Sequence, residues 1–199
     1  MRREHWDRKY GETKLLWSAE PNRFLVAEAA DLAPGRALDL ACGEGRNALW
    51  LARLGWKVTG VDFSEVAIAK GRERAAREQL DIEFVCSDLL EYEPKVDAFD
   101  LVLVFYLQIH ALERRRVLER AVPALRANGT FLLVGHDLTN LTDGVGGPPD
   151  PDLLYTPDDI VAELPGLEIA KAERVLRDVA GAERPAIDAL VRARRPALP

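Results

Sequence analysis

The sequence predicts an α/β protein: an open, doubly wound sheet of five parallel strands plus a C-terminal antiparallel hairpin, seven strands in all, with helices on both faces. Three observations carry this. From Arg36 to His136, short and nearly continuous apolar runs alternate with helical segments, the pattern of a parallel sheet covered on both sides. A loop of small residues, Ala41-Cys42-Gly43-Glu44-Gly45, joins the first run directly to a helix. After the last helix signal two strand patterns follow with no helix between them, and the short link through Ala180-Gly181 allows only an antiparallel pairing.

Each element has a local justification. His5 to Tyr10 forms an amphipathic turn with Trp6 and Tyr10 on one side, and a polar loop carrying Trp17 follows. Pro21 opens a helix that runs to about Asp31, and Pro34-Gly35 hands the chain to the first strand, Arg36–Ala41. Next come helix Arg46–Leu54 closed by Gly55, strand Lys57–Asp62, helix Ser64–Gln79 capped by Ser64, and strand Ile82–Cys86. A loop through Pro94 leads to strand Leu101–Tyr106, a helix from about Leu112 to Arg126, and strand Gly129–His136. The loop Asp137 to Tyr155, with Gly146-Gly147-Pro148-Pro149, is long for a compact domain and reads as a lid or substrate wall. Thr156-Pro157-Asp158-Asp159 supplies the cap, proline and first-turn acids of a further helix. In the last strand Ile187, Ala189, Val191 and Ala193 alternate with Asp188, Leu190 and Arg192.

Composition narrows the function. The 199 residues suit one domain, and 48% apolar with 30% charged residues is ordinary for a soluble globular protein. A net charge of −6 and a pI of about 5.2 disfavour a phosphate-tracking surface, so no nucleic-acid partner is expected. Met1-Arg2-Arg3-Glu4-His5 leads into a polar helix, and neither a signal peptide nor a membrane association is expected. The longest stretch free of acid, Lys and Arg, Leu101 to Leu112, is too short to cross a bilayer. Cys42 and Cys86 lack metal spacing and read as small buried residues, consistent with a cytoplasmic protein.

The stretch from Leu38 to Ser64 carries the function. Asp39 sits near the end of a strand, Gly43 and Gly45 let backbone approach a ligand, and a helix start offers unpaired N–H groups and positive dipole. Asp62, closing the second strand, is placed to take both hydroxyls of a ribose. The stretch is built for an adenosine-containing cofactor. Gly43-Glu44-Gly45-Arg46-Asn47-Ala48 satisfies the dinucleotide pattern G-x-G-x-x-A, so a nicotinamide-dependent oxidoreductase is the competing reading. Asp39 argues against it: an acid there reaches a cation such as an amino-acid ammonium and repels a pyrophosphate.

Asp39-Leu40-Ala41-Cys42-Gly43-Glu44-Gly45 resembles the first motif of the class I S-adenosylmethionine-dependent methyltransferases, acid-x-Gly-x-Gly-x-Gly, with Ala41 in place of the first glycine. Asp39 through Ala52 is most similar to the small tellurite-resistance and thiopurine methyltransferase branch, apart from Ala41 and Trp50. The resemblance spans Trp6 to Arg194 and implies a single domain over 1–199, with 1–34 as an N-terminal helical cover and 35–199 as a Rossmann-like core. It implies S-adenosyl-L-methionine as cofactor, held by Asp39, Ala41, Cys42, Gly43, Gly45 and Arg46 at the methionine end. Asp62 with Phe63 and Ser64 would serve the ribose and the adenine edge, and Asp88 and Leu89 the adenine. Phe105 would add a wall, and Trp17 would close the cover and exclude water. A protein that binds this cofactor without catalysis is a further alternative.

Methyl transfer from a sulfonium is an in-line displacement that needs orientation and a dry pocket but no metal, and no metal site is expected. Base candidates cluster after the fourth strand, Tyr106 and His110, with His110 near a helix start whose dipole favours the neutral imidazole. His136-Asp137 also lies where it can face the acceptor. The fourth strand lacks the Asn/Asp-Pro-Pro-Tyr signature of amino methyltransferases acting on nucleic-acid bases. The expected partner is a small-molecule acceptor, a thiol, chalcogen oxyanion or small aromatic, and the expected assembly a monomer or homodimer.

Overall fold

The computed structural model describes residues 3–197, so Met1 and Arg2 of the polar start lie outside the described residues. Seven strands, β1 (Arg36–Leu40), β2 (Lys57–Asp62), β3 (Ile82–Cys86), β4 (Phe99–Phe105), β5 (Leu125–His136), β6 (Glu168–Arg177) and β7 (Ala186–Arg194), form one sheet. Their order is β3-β2-β1-β4-β5-β7-β6. Strands β1 to β5 run parallel, and β7 inserts between β5 and β6, antiparallel to both. The helices are α1 (Arg3–Gly11), α2 (Arg23–Glu28), α3 (Arg46–Arg53), α4 (Glu65–Arg77), α5 (Ala111–Ala124), α6 (Asn140–Asp143) and α7 (Pro157–Ala162). The expected architecture is therefore observed.

The two-residue period of the strands divides the core. Leu38, Leu40, Val102, Val104, Phe131 and Leu133 face α5 and α7, meeting Val117, Leu118, Ile160 and Leu164. Ala37, Leu101, Leu103, Leu132 and Val134 face the other way, onto Leu25 of α2, Leu49 and Leu51 of α3, and Ile68 of α4. Both faces are dry, which explains why β1 and β4 read as unbroken apolar runs. The chain leaves β1 toward β2 and β3 and then returns to lay β4 on the opposite side of β1. In open α/β sheets the ligand crevice lies at such a reversal, which here falls beyond the carboxyl ends of β1 and β4.

Local signals set most boundaries. Ser64 caps α4 by accepting the Ala67 N–H at 3.2 Å, and Thr156 with Asp159 closes a capping box on α7. Pro21 stays outside α2, which starts at Arg23 because Asn22 caps it, its Oδ1 accepting the Phe24 N–H at 2.9 Å. Helix α5 ends at Ala124, two residues before the expected end, because Leu125 turns extended after Pro123 and begins β5. The segment from Asp137 to Tyr155 is a wall rather than a free lid. Asp137 and Tyr155 bridge in parallel, and Asn140 of α6 donates to the Gly146 carbonyl while accepting the Ile187 N–H of β7 at 2.7 Å. Among the described residues no helix is long and apolar enough to cross a membrane.

One buried ion pair ties α5 to the end of α7. Arg114 donates twice to Glu163, at 3.0 and 2.9 Å, with both side chains almost fully enclosed and the guanidinium 4.7 Å from the Tyr155 ring centre. Removing one member strands the other charge. Arg114→Met is expected to lower stability by about 3–5 kcal/mol in urea unfolding, and replacing both residues with methionine to recover most of that loss; equal stability of parent and single variant would contradict the assignment.

Candidate functional site

The crevice at the reversal is lined by β1, the loop after it and the end of β4. Asp39, one residue before the end of β1, is 1% exposed, and neither of its oxygens has a hydrogen-bond partner among the described residues. Burial pushes its pKa up to about 7, with Asp62 adding to the rise while the Arg46 guanidinium and the Ala48 backbone temper it. A buried acid without a partner is costly, and natural cores rarely keep one.

The loop beyond it turns through three left-handed residues, Ala41 (φ 60°), Gly43 (φ 54°) and Gly45 (φ 75°). Ala41 keeps the backbone path expected of a glycine, at a steric cost of about 1–2 kcal/mol. The two glycines serve different ends. A Cβ on Gly43 would stand 2.7 Å from the Tyr10 hydroxyl, so its bareness admits what lies above the loop; a Cβ on Gly45 would strike the Phe84 ring, so that glycine serves packing of α3 on the sheet. Cys42 contributes backbone, its N–H donating to Val61 at 3.0 Å, while its buried thiol lies under Gly60. Gly45 has no side chain with which to cap α3, and the Ala48 backbone of its first turn faces Asp39.

Asp62 faces the loop from the end of β2. Its Oδ2 accepts the Gly43 N–H at 2.8 Å and its Oδ1 the Ser64 N–H at 2.9 Å, which fixes the carboxylate plane and leaves each oxygen a lone pair. Burial pushes its pKa up against those two hydrogen bonds. The Ser64 hydroxyl donates to Asp7 of α1 and caps α4. Phe63 is half-buried beside Asp62 and accepts the Cys86 thiol on its carbonyl.

The N-terminal arm lies over this crevice. Lys70 of α4 donates to the Tyr10 and Thr13 carbonyls and pairs with buried Glu44 at 3.1 Å, while Glu44 also accepts the Leu16 N–H at 2.9 Å. Asn47 of α3 accepts the Asn22 N–H at 2.9 Å, and half-buried Arg46 reaches the Ser18 hydroxyl at 3.3 Å. Tyr10, Trp6 and Trp17 stack in sequence, with ring centres 5.8 and 6.4 Å apart. Trp17 is half-exposed and pins the arm. Two open clefts lie elsewhere, about 200 Å³ beside Glu28 and Lys171 and about 320 Å³ beside Lys14 and Arg74.

Several expected site residues sit differently. Phe105 shares the strand face of Leu101 and Leu103 and is buried in the core, not in the crevice wall. The Leu89 side chain packs into the opposite core, which leaves its expected backbone role untouched, and Asp88 accepts the Leu90 N–H at 2.9 Å on Oδ1. His110 stands at the cap position of α5, as its spacing suggested, but its side chain is exposed and makes no capping bond. Tyr106, with φ 54°, donates its hydroxyl to Asp188 at 2.7 Å, and burial followed by the Asp188 charge pushes its pKa up. Arg177 of β6 donates to both Tyr106 (3.1 Å) and Asp188 (2.7 Å). Sequence reasoning missed Arg177 and Asp188, along with Glu44 and Lys70. The signal for Asp188 was an acid within an otherwise apolar strand. Among the described residues no three His, Cys, Asp or Glu side chains cluster as a metal site.

Comparison with known proteins agrees with the geometry. Residues 37–129 match the family model described as a methyltransferase domain. A ubiquinone biosynthesis O-methyltransferase of Coxiella burnetii is 28% identical over 127 residues, 63% of this chain and 54% of that protein, so the chain spans about half the length of this curated relative. Among solved structures, one described for the conversion of a disulfide bond into a thioacetal group during echinomycin biosynthesis is 26% identical with a TM-score of 0.76, covering 97% of this chain and 92% of that one. TehB from Haemophilus influenzae has the same fold, with a TM-score of 0.74 and 20% identity over 97% of this chain and 66% of its own. The antiparallel β7, where a nicotinamide-binding sheet would end in a sixth parallel strand, sets the oxidoreductase reading aside. Residues 37–129 are thus similar to a methyltransferase domain, and the fold is that of the class I S-adenosylmethionine-dependent methyltransferases.

Proposed function

We propose that this protein transfers the methyl group of S-adenosyl-L-methionine to a small-molecule nucleophile, a thiol, chalcogen oxyanion or small aromatic. The observation that carries the reading is Asp39: a buried carboxylate with both oxygens unpaired, beside a bare glycine loop and an uncapped helix start, fits an amino-acid ammonium. When bound, the cofactor supplies a methyl carbon activated by the sulfonium. Asp39 holds the ammonium, and Arg46 with the first-turn N–H groups of α3 receives the carboxylate. Asp62 takes the ribose hydroxyls on its remaining lone pairs, and Gly43 lets the backbone approach. The arm over residues 1–34, pinned by Trp6, Tyr10 and Trp17 onto the core of 35–199, keeps water from the reacting atoms, and alignment with dryness supplies most of the rate. The net charge of −6 supports a small acceptor over a nucleic acid. Free Cys42 and Cys86 support a reducing, cytoplasmic setting, where the protein works as a monomer or homodimer.

Two measurements test this. S-adenosylhomocysteine is expected to bind in the micromolar range, about −8 kcal/mol, and Asp62→Ala to weaken it by at least about tenfold in calorimetric titration; unchanged affinity would remove Asp62 from the ribose. The Asp39 pKa of about 7 lies above its unfolded value, so its stabilising contribution is present at low pH and is lost as pH rises through 7. Asp39→Asn is therefore expected to be more stable than the parent at pH 8, on the order of 1 kcal/mol or more, with no gain at pH 4. Parent affinity for S-adenosylhomocysteine should rise from pH 6 to 8 as Asp39 ionises, and Asp39→Asn should bind weakly with no such rise.

A further inference from the structure

We propose that His136 is the general base of the transfer and that the acceptor presents a protonated oxygen, as a phenol does; this rests on the function proposed above. His136 ends β5 on the same sheet edge as Asp39, and the register of β7 sets Asp188 directly opposite it. Its Nδ1 lies 3.3 Å from Asp188 Oδ1, out of line for a full hydrogen bond, as catalytic contacts commonly are before substrate arrives. Nδ1 is fully buried, while the side chain keeps 10% of its surface open, which leaves Nε2 as the nitrogen an acceptor can meet.

The carboxylate behind the ring is held rigidly. Asp188 is wholly buried, its Oδ2 receiving the Tyr106 hydroxyl at 2.7 Å and Arg177 Nε at 2.7 Å. Tyr106 lies 5.1 Å from the imidazole between ring centres and holds a left-handed φ of 54°, strained backbone of the sort found at active sites. Gly147 lies against the other side, where a Cβ would come within 2.9 Å of the imidazole. The charged and titratable groups about His136 are Asp188 of β7, Arg177 of β6 and Tyr106 after β4. Tyr155, Asp137 paired with Arg174 at 2.9 Å, and Arg46 of α3 lie around that group.

With Nδ1–H turned to Asp188, Nε2 carries the lone pair, and the carboxylate steadies the imidazolium that forms. A thiolate or chalcogen anion needs no such group, whereas a hydroxyl does. In the step, the hydroxyl proton passes to His136 Nε2. The oxygen pair forms the O–CH3 bond as the C–S bond breaks with its electrons on sulfur, and the imidazolium releases its proton to solvent. Asp188, Tyr106 and Arg177 are positioning residues.

The test has two arms on the intact chain. Nitrogen-15 histidine spectra, assigned with His5→Gln and His110→Gln, should show neutral His136 protonated on Nδ1, with Asp188→Asn abolishing that preference. Turnover of catechol and thiophenol is read as S-adenosylhomocysteine release, and in His136→Gln kcat for catechol should fall by about 10²–10⁴-fold. S-adenosylhomocysteine affinity should stay within about twofold in that variant. A proton on Nε2, a kcat loss under about threefold, or turnover of thiophenol alone would overturn the base while the cofactor still bound. No binding of S-adenosylhomocysteine by the parent would instead overturn the proposed function.

Discussion

The unpaired carboxylate of Asp39 is the constraint around which the ligand edge of this sheet is arranged. A charged acid buried without partners costs several kcal/mol, and Asp39 answers by holding its proton up to neutrality. The β1–β4 reversal puts it beneath a crevice, and Ala41 takes a left-handed turn to keep the loop low above it. Asp62, a second buried acid close enough to raise it, is held in place by one N–H on each oxygen, from Gly43 and Ser64. One carboxylate is oriented by two backbone N–H groups, while the other has no hydrogen bond on either oxygen.

A site of this kind needs a cover, and the electrostatics of the loop supply it. Glu44 turns away from the crevice to capture Leu16 and Lys70, and Lys70 in turn holds two carbonyls of the arm. Asp7 reaches the cap hydroxyl of α4, and Tyr10 comes to rest over Gly43. Glu44 of the glycine loop thus also latches the N-terminal arm, so that under the proposed function binding and water exclusion draw on one network.

Much of this was legible because the determinants are local. Glycines at a strand–helix turn, an acid closing the next strand, and caps at Ser64 and Thr156 act within a few residues, and each is found where the spacing placed it. Tertiary effects were not legible. Asp188 reads as a solvent-facing residue of an alternating strand, yet that face is covered: Leu190 packs into the core with Leu25 and Val134, and Asp188 lies under Tyr106 and Arg177. His136 and Asp188 meet through register alone, across 52 positions of sequence. His110 shows the reverse: its place at a helix start was correct, but exposure is decided by what packs against α5. Phe105 was within reach of the sequence, since its parity with Leu101 and Leu103 assigns it to the core.

The central claim is that Asp39 awaits the ammonium of S-adenosylmethionine. Calorimetric titration at pH 8 with S-adenosylhomocysteine and with its deaminated analogue, which keeps the carboxylate, tests it most directly. The account predicts that loss of the amino group weakens binding by at least about tenfold, the worth of one charge-assisted hydrogen bond. Equal affinity for the two compounds would contradict it.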